Sequence, residues 1–216
     1  MALATFEMPS PLPVNSKVFD LLFNQSVSPA GGQFFQTIER TEPLWFAKFE
    51  TPPLSDTRDQ QFQAFLDDLE GSMGVLLAFD PRRPRPYAYR NMAGEPWRAS
   101  SGTAPTVVSA SRTASTLTLN GLLNGAILTR GDYVSFKIVN AWYLFRVRQT
   151  VVAASNAATL VVTPRPPTFS TQTYAARMTR ACATMKLMGR VSKTDSVDSL
   201  PKYSFSASQI RDRSTS

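Results

Sequence analysis

Along most of the chain apolar and polar side chains alternate, and the period lengthens to that of a helix only once. Residues 34–50, FFQTIERTEPLWFAKFE, hold two aromatic-rich runs, Phe34 to Arg40 and Leu44 to Glu50, on either side of Thr-Glu-Pro. Proline offers no N–H to a ladder, so Pro43 is expected to end the pairing and leave two strands joined by a tight connection. In the second run Trp45, Ala47 and Phe49 share one face, and Leu44, Phe46, Lys48 and Glu50 share the other. A strand with two partly apolar faces belongs in a closed barrel or at a subunit interface.

The helical period follows at once. In PPLSDTRDQQFQAFLDDLEG, Phe62, Phe65, Leu66 and Leu69 recur at i, i+3, i+4 and i+7, with Asp67, Asp68 and Glu70 on the other side. Thr57 and Gln60 have the spacing of a capping box, Pro52 and Pro53 bar an earlier start, and Gly71 supplies a stop. Next, GVLLAFDP reads as a buried strand and YAYRNM as its continuation or return.

Beyond Thr103 come four short alternating strands, STLTLNG, GDYVSFKI, WYLFRVRQTV and ATLVVTP, separated by Asn-Gly, Arg-Gly-Asp and Ser-Asn turn signals. They amount to a small all-β unit of SH3-like or OB-like size that closes with the proline-rich exit TPRPPTF. The remaining stretches, TYAARMTRACATMKLMGRV and a final strand around Ser204 to Ile210, have no core of their own. They are expected to complete the sheet begun by residues 33–90. The main domain is then discontinuous, residues 1–102 and 169–216, and residues 103–168 form an insertion that should be removable with a short linker.

Composition narrows the chemistry. The chain has 216 residues, 43% of them apolar, enough for a sizeable core. It contains no histidine, which removes the usual general base and the usual metal ligand, and with them Ser-His-Asp and Cys-His nucleophiles and His-based zinc sites. The carboxylates Asp67 with Asp68, or Glu39 with Glu42, could be paired on paper, but neighbouring acids of this kind ordinarily form a solvated face. No phosphate-cradling glycine motif or calcium loop is present, and GLLNG at 121–125 reads as a turn. A non-enzymatic protein without cofactor or metal is expected. The single cysteine, Cys182, cannot form an internal disulfide and is expected to be a buried, inert thiol. Neither a membrane span nor a secretory leader is read in the sequence.

Charge is distributed unevenly. Residues 1–78 hold 4 basic and 10 acidic side chains, a net of −6, whereas residues 79–216 hold 19 and 6, a net of +13. Such asymmetry suits a nucleic-acid footprint, or head-to-tail complementarity between copies of one protein.

The Arg-Gly-Asp turn, the strand carrying Arg146 and Arg148, and the apolar strand ending in proline come in a recognisable order. Together with LWFAKFETPPLSD, FQAFLDDLEG and LLAFDPRRPRPYAYR, they give a chain that resembles the distal tail protein of long-tailed bacteriophages and its relatives in gene transfer agents. The resemblance implies a mainly β fold: a β-rich, ring-forming belt domain with one α-helix, interrupted by a small SH3/OB-like β-barrel. It also implies a structural role in the virion tail, assembled in the host cytoplasm as a homo-oligomeric ring, a hexamer. That ring would join the tail tube protein to the tail hub and tip, and DNA would pass only transiently through its channel. The chain is short for this family and lacks the large carbohydrate-binding-like C-terminal domain of many members, so host-receptor binding is not implied. Another tail ring, such as a terminator or completion protein, is an alternative, as is a single-stranded nucleic-acid-binding protein using the barrel as an OB-like module.

Residues 79–90, FDPRRPRPYAYR, concentrate four arginines, three prolines and two tyrosines. Arg82, Arg83 and Arg85 could contact phosphates while Tyr87 and Tyr89 stack on bases. The alternation Tyr87, Tyr89 against Ala88, Arg90 fits a strand equally well. An inter-subunit or tube-facing connection is preferred over a plain solvated loop and over a nucleic-acid contact. Arg146 and Arg148 are read either as a basic face of the insertion or as an ordinary exposed sheet face. The Arg-Gly-Asp at 130–132 is read as a turn rather than an adhesion motif.

Overall fold

The computed structural model describes residues 5–8, 15–30, 34–99, 104–196 and 199–210. In chain order it contains β1 (Thr5–Glu7), β2 (Asn15–Ala30), β3 (Phe34–Glu50), helix α1 (Asp56–Asp68) and β4 (Val75–Phe79). A one-turn 3₁₀ helix, Tyr87–Tyr89, leads to β5 (Thr106–Ser111), β6 (Thr116–Asn120), β7 (Ile127–Leu128), β8 (Tyr133–Ile138) and β9 (Ala141–Val147). Then come β10 (Val151–Val152), β11 (Ala157–Thr163), β12 (Tyr174–Arg177), β13 (Cys182–Leu187), β14 (Ser192–Ser196) and β15 (Ser199–Gln209). No helix among the described residues is long and apolar enough to cross a membrane.

The protein is mainly β, with two large β structures sharing a boundary and a separate two-stranded pair, β7 with β10. Seven strands form an open sheet in the order β1-β4-β13-β15-β3-β2, with β14 also paired to β15. Six others close a barrel in the order β11-β6-β5-β12-β8-β9. All sheet strands come from before residue 80 or after residue 181, and all barrel strands from between. Five barrel strands fall within residues 106–163, but the sixth, β12, lies at Tyr174–Arg177, beyond the expected end of the insertion at 168. β12 closes the barrel by pairing with β5 on one side and β8 on the other. The other expected limit, at 102–103, lies outside the described residues.

Each structure has its own core. On the sheet, Trp45, Ala47 and Phe49 of β3 and Tyr203, Phe205 and Ala207 of β15 bury the same face, as strand alternation requires. Phe62, Phe65 and Leu69 of α1 pack on it, and Tyr133 and Leu144 of the barrel complete the cluster. The barrel core gathers Leu117, Leu119, Phe136, Phe145 and Leu160 with Trp97, which precedes the barrel in sequence. Phe136 and Phe145 stack at 5.2 Å, and Phe169 of the proline-rich exit meets Phe136 edge-on at 5.8 Å. The joint between the two is hydrogen-bonded as well as apolar. The Trp45 indole Nε1 donates to the Leu144 carbonyl at 2.7 Å, the Trp142 N–H to Thr184 Oγ1 at 2.7 Å, and the Cys182 N–H to Ser135 Oγ at 3.1 Å. Residues 103–168 thus supply two side chains of the sheet's core, and one barrel strand, β12, lies outside those bounds.

Three local expectations are also corrected. Pro43 does not divide β3. The ladder with β2 slips instead, pairing Leu22 with Leu44 and then Asn24 with Thr41, so Glu42 and Pro43 together face Phe23 in a bulge that accommodates the missing N–H. A second slip between Asn24 and Gln25 leaves Arg40 as another extra residue. Helix α1 is capped by Ser55, with no side-chain cap bond, so Thr57 and Gln60 lie inside the helix. Its stop involves Glu70 and Gly71, both at positive φ. Gly74 then comes so close to the helix that a Cβ there would sit 2.6 Å from the Leu69 carbonyl oxygen. Finally, YAYRNM is not a strand; Tyr87–Tyr89 is the 3₁₀ turn.

The β2–β3 hairpin reaches beyond the sheet. β15 pairs only with Phe46 to Glu50 of β3, whereas β2 and β3 stay paired out to Ala30 and Phe34. The outer half is a two-stranded arm on which Phe23, Val27 and Ile38 are 56%, 59% and 55% exposed.

Cys182 fulfils its expectation. It is buried, and burial raises its thiol pKa to about 11, against the opposing pull of Arg177. A thiol so rarely ionised is a poor nucleophile. Ellman's reagent at pH 8 should find no reactive thiol in the native chain and one equivalent after unfolding; prompt native labelling would contradict this burial.

Candidate functional site

The segment after β4 is pinned from both ends. Buried Asp80 accepts from the Arg82 N–H at 3.1 Å, and its carbonyl from the Arg83 N–H at 3.0 Å, forming the turn that carries the first arginines. The chain then bends at Pro84 and Arg85, and the Arg180 N–H donates to the Pro84 carbonyl at 2.7 Å. At the far end the Tyr87 N–H donates to Asp132 Oδ1 at 2.8 Å. Asp132 is the acid of the Arg-Gly-Asp turn. Its other oxygen accepts from the Thr129 N–H at 2.7 Å, and the residue is only 6% exposed. An adhesion motif needs an exposed carboxylate; this one is an internal latch. Burial holds its pKa above the ordinary carboxylate value although both N–H donors and Arg83 act the other way.

This latch draws together arginines far apart in sequence. Arg82, Arg83, Arg85 and Arg90 from the connection, Arg130 from the turn, and Arg146 and Arg148 from the end of β9 line one cleft of about 830 Å³. Tyr87, Asp132 and Tyr133 also contribute to its wall. A narrower groove of about 440 Å³ shares Arg148 and Thr163 with the cleft and runs to Phe23, Gln25 and Glu39 at the base of the arm.

The arginines differ in how far their charge is answered. Arg82 pairs with Asp80, and Arg146 with Asp20, each at 3.3 Å. Arg83 lies 5.8 Å from the Tyr133 ring and 3.4 Å from the Gly131 carbonyl, and Arg85 donates to the carbonyls of Met92 and Gly94. Arg90 covers a face of Tyr87 at 4.6 Å. Among the described residues Arg83, Arg85, Arg90, Arg130 and Arg148 have no carboxylate within ion-pair distance. Guanidinium groups offer planar forks suited to carboxylates and phosphates, and the lining contains no lysine.

Of the residues singled out in the sequence, Arg82, Arg83, Arg85 and Tyr87 meet Arg146 and Arg148 in this cleft, so two separate candidates become one site. Arg146 is not on a free barrel face: it pairs with Asp20 and lies 5.5 Å from the Trp45 ring. Tyr89 does not belong. Its ring packs against Trp97 at 5.4 Å and its hydroxyl accepts from the Ile127 N–H at 2.8 Å, which makes it a plug of the barrel core. Arg90 and Arg130 were missed, the latter because its motif was read only as a turn. The acidic pairs do not converge on a reaction centre. Asp67 and Asp68 are exposed at the end of α1, and Glu42 forms an ion pair with Arg112. No cluster among the described residues could hold a metal ion.

Comparison of the chain with models of known protein families and with curated protein sequences gave no match.

Proposed function

We propose that this chain is a non-enzymatic structural protein of a bacteriophage tail, forming a ring at the distal end that joins the tail tube to the tip hub. The observation that carries the reading is the β2–β3 arm. Isolated two-stranded ribbons are marginal in water, and this one also leaves Phe23, Val27 and Ile38 exposed. Apolar side chains spaced along a projecting ribbon are the surface one copy needs to reach across its neighbour. The barrel set into the sheet agrees with the resemblance read from the sequence.

The test is assembly. The unmodified chain should sediment as a closed oligomer, with six copies expected, and show rings by negative-stain electron microscopy. The paired substitution Val27→Asp with Ile38→Asp should leave monomer of unchanged circular dichroism, because these side chains are not in the core. A wild-type chain that stays monomeric at high concentration, and is absent from tail particles, would sink the reading. Single-stranded nucleic-acid binding is the second reading, and the arginine cleft favours it. Against it, the stacking platform it needs is reduced to Tyr87, since Tyr89 is committed to the barrel core.

A further inference from the structure

The cleft carries five arginines with no carboxylate partner among the described residues, brought close together on one surface. Like charges held this way repel one another, so the fold maintains the cluster against its own electrostatics. An anionic occupant relieves that repulsion. The cleft has two aromatic rings and neither is fully open: Tyr133 is buried with Arg83 beside it, and Arg90 covers a face of Tyr87. This suits carboxylates, which need only the guanidinium forks, better than bases, which need successive open ring faces.

The same chain presents a complementary surface. Helix α1 ends in Asp67 and Asp68, with Glu70 just beyond, all three exposed, and no basic residue stands in its last turn. Carboxylates at the negative end of a helix dipole are unfavourable, so this end also lacks a counter-charge. Between the residues of the two surfaces runs a series of packed rings. Tyr133, which lines the cleft, contacts Phe19; Phe19 contacts Phe49; Phe49 contacts Phe205; and Phe205 contacts Phe62 of α1. None of Asp67, Asp68 and Glu70 lines the cleft, so donor and receptor are distinct surfaces, and a contact between distinct surfaces of successive copies is head-to-tail, the kind that closes into rings. The cleft is moreover continuous, through the groove it shares at Arg148, with the arm.

We infer that the arginine cleft receives the acidic C-terminal end of α1 from the next copy of the chain, with Arg130 and Arg148 meeting Asp67 and Asp68. The inference rests on the ring reading and adds to the arm a second contact between successive copies. Arg130 and Arg148 are exposed, so reversing their charge leaves the fold intact.

The experiment uses two full-length variants, Arg130→Glu with Arg148→Glu, and Asp67→Lys with Asp68→Lys, each checked by circular dichroism. Sedimentation velocity over a concentration series should show each variant alone associating roughly tenfold or more weakly than wild type. An equimolar mixture of the two should recover assembly, because alternating copies then make either the original contact or its charge-swapped form. Wild-type assembly should also loosen between about 0.05 and 0.5 M salt. Failure of the mixture to recover, or either variant assembling like wild type, overturns the contact while a wild-type ring leaves the ring reading standing. A wild type that never assembles overturns both. If the arginine variant assembles normally but loses binding to a fluorescent single-stranded oligonucleotide, the cleft is a nucleic-acid site and the inference is wrong.

Discussion

A chain in which residues 103–168 are replaced by a short linker will not fold. The cut removes five barrel strands and leaves β12 without either neighbour. It also strips Tyr133 and Leu144 from the sheet's core, uncovers Trp45 and Phe19, and leaves the Trp45 indole N–H without its acceptor. Losing a large buried side chain costs about 2–5 kcal/mol, and orphaning a buried polar group about 1–3 kcal/mol. Several such losses together consume the roughly 5–15 kcal/mol that holds a domain of ordinary stability. The deletion product should be insoluble, or soluble without a cooperative urea transition. A sharp transition near that of the full chain would show that sheet and barrel are independent after all.

Replacing Asp132 is the single substitution with the largest expected effect on the cleft. Asp132→Ala leaves the Tyr87 and Thr129 N–H groups without their acceptors, and hydrogen bonds to a charged group contribute about 1.5–3 kcal/mol each. A loss of about 3–5 kcal/mol in urea unfolding is expected, together with a loosened connection between β4 and the barrel. Acidity supplies a second check. Because the folded-state pKa of Asp132 is raised, its protonated form is the one folding favours. Its pH-dependent contribution is therefore fully present below the unfolded value of 3.8 and is lost as pH rises through the folded value. Asp132→Asn has no such titration. The difference in unfolding free energy between wild type and Asp132→Asn should accordingly shrink as pH rises through that window. A gap that grows with pH would mean the carboxylate is held below its ordinary value instead.

Local pattern and long-range placement were not equally legible in the sequence. Helix α1 was readable because Phe62, Phe65 and Leu69 return at its own period, and the packing face of β3 because Trp45, Ala47 and Phe49 alternate. Four barrel strands were readable for the same reason. β5 was not, since TVVSAS is short and rich in hydroxyl side chains; β12 was legible as a strand but not as a barrel strand, since it follows a proline segment that looked like an exit. That segment is instead tied to the barrel, with Ala110 and Phe169 exchanging backbone hydrogen bonds. The site was half legible. Its arginines stood out, but nothing local says that Arg83 and Arg148, 65 positions apart, share one cleft. The contact that makes them neighbours is between Asp132 and the Tyr87 backbone, and an aspartate in a turn signals no distant partner. Tyr89 was misread for the converse reason, because an aromatic residue among arginines suggests stacking whether its ring faces solvent or a core.

The slipped ladder of the arm bears on how readily its edge can accept a further strand. From Phe34 to Thr41 the outer edge of β3 is paired with no strand among the described residues, and an open edge is a template for indiscriminate strand addition. Here the template is spoiled. The extra residues at Glu42–Pro43 and Arg40 break the spacing of the remaining donors and acceptors, and Glu39, Arg40 and Glu42 place charge along the ribbon. A foreign strand, or a second arm in an arbitrary register, meets mismatched hydrogen bonds. Such bulges are a device by which sheet edges resist strand addition while the exposed apolar side chains of the arm remain accessible.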